Sequence, residues 1–436
     1  MSNLEIGLVS IVTMVALIYI GLYVPIALAA TSFVGVWALK GNAVLASKLL
    51  ALAAAESISN YIFGVVPLFV LMGLLVSVAD IGRNTFEVAN QWFRRVRGGL
   101  GVATVTANAI FASITGISIA SAAVFTRVAV PEMVRYGYRP RFAVGLVAGS
   151  SVLGMLIPPS LLLILYGVIA EQSVGDLFIA GVIPGILLSL AFAVAIVLMA
   201  RHMPSFVGGG AGVDDELERM DSLTVTLKMA PIVVLVGLVL GGIYAGWFTP
   251  TEAGAVGAMG ALLLALMKRK LSLREMWRVL VETGHVTASI CFLIIAATMY
   301  TRMLSISGVP GFFGSWIQQA DLGFYAILTV YVVVLLLMGT ILDSSSILMI
   351  AVPLALPIME AFDTDLIWFG IVTIIAVEVG LLTPPLGLSA YVIKGTLEDD
   401  SITLNDIFAG AFPFAVIMVL VLVAIIAVPW LSLALL

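Results

Sequence analysis

Two long apolar stretches of the chain are each interrupted at the centre by a short polar segment. The first stretch, residues 100–131, is broken at Ser113–Ser118, and the second, residues 322–360, is broken at Gly339–Ser346. Each arm of the first stretch holds about 13 residues, or roughly 20 Å of α-helix, which is too short for a bilayer core of about 30 Å. The second stretch has the same interrupted form. We therefore predict two re-entrant helical hairpins whose polar tips are buried in protein or line a wet cavity.

These stretches lie in a chain that is apolar almost throughout. Of its 436 residues, 62% are hydrophobic and 10% are charged, against roughly 25% charged in a soluble protein. The charges separate apolar segments of about 20 residues, the length of a membrane-spanning helix. The sequence thus predicts an all-α polytopic membrane protein and excludes a soluble enzyme. About ten crossings are expected: two within residues 5–37, then 61–81, 142–170, 177–200, 229–248, 252–267, 284–304, 366–393 and 407–429.

The two halves of the chain repeat each other. A shift of 226 residues superposes Gly82 on Gly308, Ser118 on Ser344, Pro131 on Pro357, Gly154 on Gly380, and Pro158–Pro159 on Pro384–Pro385. Each half holds five crossings and one hairpin, and the odd number of crossings inverts the second copy, as in many secondary transporters. The predicted units are a first repeat over 1–200 (hairpin 100–131, broken helix 142–170), a linker over 201–228, and a second repeat over 229–436 (hairpin 322–360, broken helix 366–393).

The basic residues predict an orientation. If the first hairpin opens to the cytoplasm, 17 of the 20 lysines and arginines fall on the cytoplasmic side, as the positive-inside rule requires. The linker is then cytoplasmic. Both termini lie on the opposite, outer side.

Each repeat carries a glycine and a proline pair in the middle of a span, within residues 149–160 and 378–387. Prolines supply no N–H and glycines loosen a helix, so nearby carbonyls lose their intrahelical partners. Freed carbonyls and the hydroxyls of a facing hairpin tip would form an oxygen cage for a desolvated cation, and half-helix N-termini would suit an anion. Two such cages suggest at least two coupling Na⁺ ions. The plainer alternative is that the proline pairs merely kink two helices.

Few ionisable side chains remain at membrane depth. Asp343 lies at a hairpin tip, a position that favours a functional role. Glu378 lies beside a helix break, where a functional role and pairing with a hairpin group both remain open. Arg127 and Arg302 suit a substrate carboxylate, although snorkelling to the interface is the simpler interpretation. With one cysteine, two histidines and no phosphate-binding loop in the chain, no cofactor is expected besides Na⁺ as coupling ion.

Three short segments resemble signatures of a known family. Phe248–Ala253, Gly154–Ser160 and Leu342–Ser344 look like those of the large membrane subunit (DctM type) of tripartite ATP-independent periplasmic (TRAP) transporters. The resemblance implies an elevator-type, Na⁺-driven importer with scaffold and transport domains in the bacterial inner membrane, both termini being periplasmic. It also implies three partners: a periplasmic substrate-binding protein, a separate small four-helix membrane subunit, and an organic anion, either a carboxylate or a sulfonate.

The resemblance also assigns candidate sites. One Na⁺ site falls at Ser113, Ser118, Gly154, Ile157 and Pro159, and the other at Gly339, Thr340, Gly380, Thr383 and Leu386. The two sites are not expected to be equivalent, because Ile117 occupies the position that corresponds to Asp343. The predicted substrate contacts are Thr115, Ser150, Asp343, Ser344 and Ser345. No catalytic residue is expected.

Two other functions remain open at this point. A stand-alone divalent-anion/Na⁺ symporter shares hairpins and inverted repeats but needs no binding protein. An intramembrane enzyme would require a convergent acid/base or metal constellation, such as paired aspartates, which the sequence does not show. A membrane scaffold without transport activity has no evident need for two related breaks.

Overall fold

The first repeat consists of helices only. The computed structural model describes residues 2–59, 61–208, 220–312, 315, 323–385, 387–397, 399 and 401–436, and within them it contains no β-strand, which confirms the all-α prediction. The helices of the first repeat are α1 Asn3–Tyr19, α2 Val24–Lys40, α3 Ala43–Ser59, α4 Val65–Val78, α5 Ile81–Phe93, α6 Gly99–Thr115, α7 Ser118–Arg135, α8 Pro140–Ser151, α9 Leu153–Leu156, α10 Leu161–Ile169 and α11 Val174–His202.

The second repeat follows the same order. After the short helix α12 (Pro204–Val207), its helices are α13 Ser222–Tyr244, α14 Pro250–Met267, α15 Leu273–Ser307, α16 Phe324–Gly339, α17 Ser344–Ala361, α18 Leu366–Leu381, α19 Leu388–Thr396, α20 Leu404–Ala427 and α21 Trp430–Leu433. Helix α13 begins inside the predicted linker 201–228. The structure describes that linker only outside residues 209–219.

The predicted crossings correspond to helices of the structure. Among the described residues, six helices, one of them the hairpin arm α17, are long and apolar enough to cross a membrane, or up to eight if each of two bent pairs is one span; α1, α2 and α18 are shorter apolar helices. Polar residues fix several helix starts, because a side-chain oxygen accepts one of the unpaired N–H groups of the first turn. Reciprocal capping boxes join Ser2 with Glu5, Thr249 with Glu252, and Thr403 with Asp406.

Both predicted hairpins are present. Helices α6 and α7 are joined by Gly116 and Ile117, and α16 and α17 by residues 340–343. The arms are longer than predicted, with 17 and 18 residues in the first hairpin, because Pro131 lies inside α7 without ending it. Both tips end against the broken helices, with Gly116 beside Pro159 and Gly339 beside Gly380.

Helices of each repeat pack against helices of the other repeat. Helix α2 packs on α15, and its counterpart α14 packs on α4. These four helices, with α1, α3 and α13, form one group, which we call the scaffold. A second group contains the two hairpins, the broken helices, α11 and α20, and we call it the transport block; its closest crossing joins α8 to α20.

Glycine residues allow α8 and α20 to cross in close contact. A Cβ added to Gly145 would lie 1.9 Å from the Gly410 carbonyl carbon, and one added to Gly149 would lie 2.5 Å from the Phe414 Cβ, so the two backbones touch. GxxxG spacing in a sequence predicts close helix packing, and the contacts of Gly145 and Gly149 with α20 agree with that prediction. Gly237 and Gly241 have the same spacing, but no atom of the described residues lies within 4 Å of a Cβ added there.

Candidate functional site

The first hairpin tip meets the first broken helix. The Leu161 N–H donates to the Gly116 carbonyl at 3.2 Å, which ties the tip to the residues that follow Pro158–Pro159. A Cβ on Gly116 would lie 2.4 Å from the Pro159 carbonyl oxygen, and one on Gly154 would lie 3.1 Å from the Ile117 carbonyl carbon. Glycine at both positions lets the tip approach the break by its backbone. Of the predicted first cation site, Ser118, Gly154 and Pro159 thus adjoin the contact between the tip and the break.

The side chains of the remaining two residues of this site, Ser113 and Ile157, are engaged elsewhere. Ser113 donates its hydroxyl hydrogen to the Ile110 carbonyl at 2.7 Å, one turn back on α6. The Ile157 side chain points at α11, because a Cβ added to Gly185 would lie 2.7 Å from its Cγ1. Only the carbonyl of Ile157 is therefore suited to bind a cation.

The second tip meets the second broken helix in the same way. Gly339, the last residue of α16, lies against Gly380 of α18: a Cβ on either would lie 2.6 or 2.7 Å from the Cα of the other. Thr340 and Thr383 donate their hydroxyl hydrogens to the carbonyls of Leu337 and Gly380, at 2.8 and 2.7 Å. Four of the five residues of the predicted second site are thus near the contact, whereas Leu386 lies outside the described residues.

Backbone carbonyls are free at both tips. Within the described part of the chain, no backbone N–H donates to the carbonyls of Ser113, Ile114 and Thr115 in the first tip, nor to those of Gly339, Thr340, Ile341 and Leu342 in the second. Free carbonyls next to a helix break are the ligands expected for a desolvated monovalent cation.

The two tips differ in their acidic groups. Asp343 caps α17, since its carboxylate accepts from the Ser346 N–H at 3.1 Å and also from the Ser346 hydroxyl. Glu378 of α18 accepts from the Ser344 hydroxyl at 2.7 Å, which confirms that it pairs with a hairpin group. Arg302 forms an ion pair with Glu56 of the scaffold, in agreement with the structural interpretation of this arginine.

The predicted substrate contacts do not form one surface. Thr115 and Ser150 are buried, and both bond within the protein: Thr115 donates to the Phe111 carbonyl at 3.1 Å, and Ser150 accepts from Asn108 Nδ2 at 2.6 Å. Asp343 and Ser344 are engaged as described above. Ser345, at the second tip, is partly exposed. Of these five residues, Asp343 and Ser345 are partly exposed, whereas Thr115, Ser150 and Ser344 are buried.

A cavity of about 590 Å³ lies beside the second break. Its lining includes Thr383 and Pro384 from the break, Arg141 from α8, and Asp406 and Phe408 from α20. The lining of this cavity therefore carries one basic and one acidic side chain, Arg141 and Asp406, and the Asp406 carboxylate accepts from the Thr403 hydroxyl and backbone N–H.

Comparison with known proteins agrees with this architecture. The family model described as "Tripartite ATP-independent periplasmic transporter, DctM component" matches residues 11–431. The large permease protein DctM of a C4-dicarboxylate TRAP transporter from Pseudomonas aeruginosa is 34% identical over 389 residues, which cover 88% of each chain. The chain belongs to the DctM family of TRAP transporters.

Other relatives carry different substrate names. The large permease protein SiaM of a sialic acid TRAP transporter from Vibrio cholerae is 29% identical over 379 residues, covering 87% of each chain. Among solved structures, the YdaH transporter of Alcanivorax borkumensis has the same fold, with a TM-score of 0.58, 12% identity, and coverage of 89% of this chain and 90% of that chain. The DctM-family relatives are named as permeases, so the chain is a transporter subunit and not an intramembrane enzyme.

Several residues of this DctM-family chain escaped the sequence analysis. Asn108 and Ser121 lie fully buried in the first hairpin, and Asn108 Oδ1 and Ser121 Oγ have no hydrogen-bond partner among the described residues. An amide inside an apolar hairpin arm is itself a signal, because polar side chains in lipid-embedded helices usually serve packing or binding. Gly73 of α4 gave no such signal, although a Cβ there would lie 2.9 Å from the Thr115 carbonyl oxygen.

Proposed function

We propose that this chain is the transport subunit of a Na⁺-coupled importer that receives a small organic anion from a periplasmic binding protein. The observation that carries the proposal is the paired geometry described above, in which each hairpin tip with free carbonyls meets a broken helix. Such carbonyls replace the hydration shell of a cation, and a cation bound there lets an anionic substrate occupy the same region of the membrane.

The substrate is a small carboxylate or sulfonate. The relatives are named for a C4-dicarboxylate and for sialic acid, which share a carboxylate and little else. A pocket formed by this chain therefore recognises the charged group, and the binding protein selects the rest of the molecule. The partly exposed Ser345 and the N-terminus of α17 offer hydroxyl and N–H donors for that group, with the positive end of a helix dipole behind them.

An elevator motion fits the two packing groups. A cavity of about 480 Å³ separates α15 of the scaffold from α17 and the end of α10 in the transport block, and it is lined by Thr298, Met349 and Pro357 among others. The transport block moves past the scaffold as one body, in the inner membrane, with both termini periplasmic. A small membrane subunit braces the scaffold.

The test is uptake into proteoliposomes that contain this chain with its small subunit. Addition of the binding protein loaded with a C4-dicarboxylate is expected to give uptake under an inward Na⁺ gradient, and replacement of Na⁺ by choline is expected to abolish it. Uptake by this chain alone, without binding protein or small subunit, would instead support the stand-alone symporter. Uptake that continues unchanged in choline would contradict Na⁺ coupling.

The elevator motion has a separate test. In a Cys291→Ser background, a bifunctional thiol reagent that joins Thr298→Cys in the scaffold to Leu356→Cys in the block, both of them partly exposed on the cavity lining, is expected to stop uptake. The same reagent on each single-cysteine variant serves as the control. Full uptake after complete cross-linking would exclude a moving block.

A further inference from the structure

A carboxyl group lies inside the transport block without a basic partner. The side chain of Glu378 is 1% exposed, in the middle of the packing between α18 and the second hairpin. Its Oε1 accepts from the Ser344 hydroxyl at 2.7 Å. None of the ion pairs in the described part of the chain involves Glu378.

The other oxygen of this carboxyl group is unsatisfied. Glu378 Oε2 is buried and has no hydrogen-bond partner among the described residues. Burial of a carboxylate costs several kcal/mol unless a positive charge or further hydrogen bonds compensate it. The N-terminus of α17, at Ser344, contributes only the partial charge of a helix dipole. An ionised Glu378 therefore requires a positive charge next to Oε2.

The position of Glu378 indicates where that charge comes from. Ser344 opens the hairpin arm that follows the free carbonyls of residues 339–342, and Gly380, two residues after Glu378, touches Gly339. The carboxyl group thus adjoins the tip where the proposed function places the second cation. Neutral carbonyls and a carboxylate together are a common ligand set for hard cations.

The first repeat lacks this group. Under the shift of 226 residues, Ser118 corresponds to Ser344, but the position of Glu378 is occupied by Val152, which is buried. Ile117 likewise replaces Asp343. The first tip is therefore built from hydroxyls and carbonyls alone, while the second tip adds a carboxylate.

We propose that Glu378 is the anionic ligand of the second Na⁺ site, with Oε2 directed at the ion and Oε1 held by Ser344. The inference rests on the proposed function, because it assumes that the second tip binds Na⁺. Its consequence is that the two cation sites differ in kind. The first binds Na⁺ through neutral oxygens, and the second binds it through a carboxylate that neutralises the charge of the ion.

The test compares Glu378→Gln and Glu378→Asp in the complete transporter with its small subunit and binding protein. Glutamine keeps the shape and the acceptor for Ser344 but loses the charge, whereas aspartate keeps the charge on a shorter side chain. We expect Glu378→Gln to raise the Na⁺ concentration for half-maximal uptake by at least about tenfold, equivalent to roughly 1.4 kcal/mol. Glu378→Asp should remain closer to the wild type. The substrate KM at saturating Na⁺ should stay within about twofold in both variants.

Direct Na⁺ binding completes the test. Calorimetric titration of the purified complex with NaCl should show one fewer bound Na⁺ in Glu378→Gln than in the wild type, and Glu282→Gln, on the exposed face of α15, should show no change. Wild-type Na⁺ activation in Glu378→Gln would overturn the inference, because glutamine reproduces a neutral carboxyl group. If the wild type itself shows no Na⁺ dependence, the proposed function fails instead, so the two failures are distinguishable.

Discussion

The two helix breaks share a sequence pattern but not an environment. At the first break Pro158 and Pro159 are buried, and α11 closes over it: a Cβ on Gly181 would lie 2.8 Å from the Leu156 carbonyl oxygen. At the second break Pro384 and Pro385 are exposed, and a cavity of about 590 Å³ separates the break from α20. The break with a proline pair thus occurs in both repeats, and it is closed by packing in the first repeat and open to a cavity in the second.

The difference between the environments of the two breaks reflects more than the sequence divergence of the two repeats. Under the proposed function, the two inverted repeats face opposite sides of the membrane, so one closed break and one open break are the asymmetry expected of a single state of an alternating-access carrier. The acidic side chains are distributed in the same way. Asp343 at the second tip and Glu378 beside the second break correspond to Ile117 and Val152 in the first repeat. Variants at matched positions in the two repeats separate the effect of packing from that of charge.

The largest difference is expected at the paired glycines of the tip contacts. A Cβ on Gly380 would lie 2.7 Å from the Gly339 Cα and 2.9 Å from the Leu336 carbonyl oxygen, whereas the nearest atom to a Cβ on Gly154 is 3.1 Å away. Because backbone cannot yield as a side chain can, we expect Gly380→Ala to cost about 3 kcal/mol of stability and Gly154→Ala about 1 kcal/mol.

Thermal unfolding of the purified chain in detergent measures this order. Gly237→Ala is the matched control, because no atom lies within 4 Å of a Cβ added there, and it should leave the Tm unchanged or slightly raised. Equal losses at Gly380 and Gly154 would show that the two tip contacts are equally tight.

Solvent access is the next comparison. Ala409 lines the cavity beside the second break, while Ala180 of α11, which precedes the Gly181 that packs on the first break, is 1% exposed. In a Cys291→Ser background, a small polar thiol reagent should label Ala409→Cys at least about tenfold faster than Ala180→Cys, because burial limits access to the thiolate. Mass spectrometry of the labelled chain gives both rates. Rapid labelling at Ala180→Cys would mean that the first break opens readily.

The smallest expected difference is in the stabilising effect of the N-terminal caps of α20 and α11, the helices that flank the two breaks. Thr403 and Asp406 cap α20 reciprocally, whereas at α11 the Ser173 hydroxyl accepts from the Asp176 N–H at 3.2 Å without a reciprocal bond. We expect Thr403→Ala to cost about 1 kcal/mol and Ser173→Ala about half as much. Chemical unfolding of the two variants measures the difference, and a larger loss for Ser173→Ala would contradict it.

The sequence predicted local features better than their surroundings. Both hairpins and both breaks lie where the interrupted apolar stretches placed them, since short polar segments and prolines act on the backbone within a few residues. Helix α3 was missed: it is apolar but carries Lys48 and Glu56, and the second charge pairs with Arg302 far along the chain. Such a partner is invisible to a search for apolar windows.

The residues of the candidate site likewise divide into those that the sequence alone identified and those that it did not. Asp343 and Glu378 were identifiable as rare charges within apolar stretches, and Gly154, Gly380 and the proline pairs were identifiable through repetition. Gly116 and Gly73 gave no signal, although they set how closely the first tip approaches the break and the scaffold. A glycine required by a neighbour from another helix has no local signature in a chain that contains 41 glycines.

The amino-acid sequence by itself therefore determined the membrane class, the duplication, the two interruptions and the scarcity of charge at membrane depth. Each of these follows from hydrophobicity and backbone chemistry over short distances. Only the tertiary structure decided which break is closed, which carbonyls accept no hydrogen bond from the described residues, and that Ser344 holds one oxygen of Glu378 while the other has no partner among those residues. Those outcomes depend on contacts between helices far apart in the chain, where packing rather than local sequence sets the environment of a polar atom.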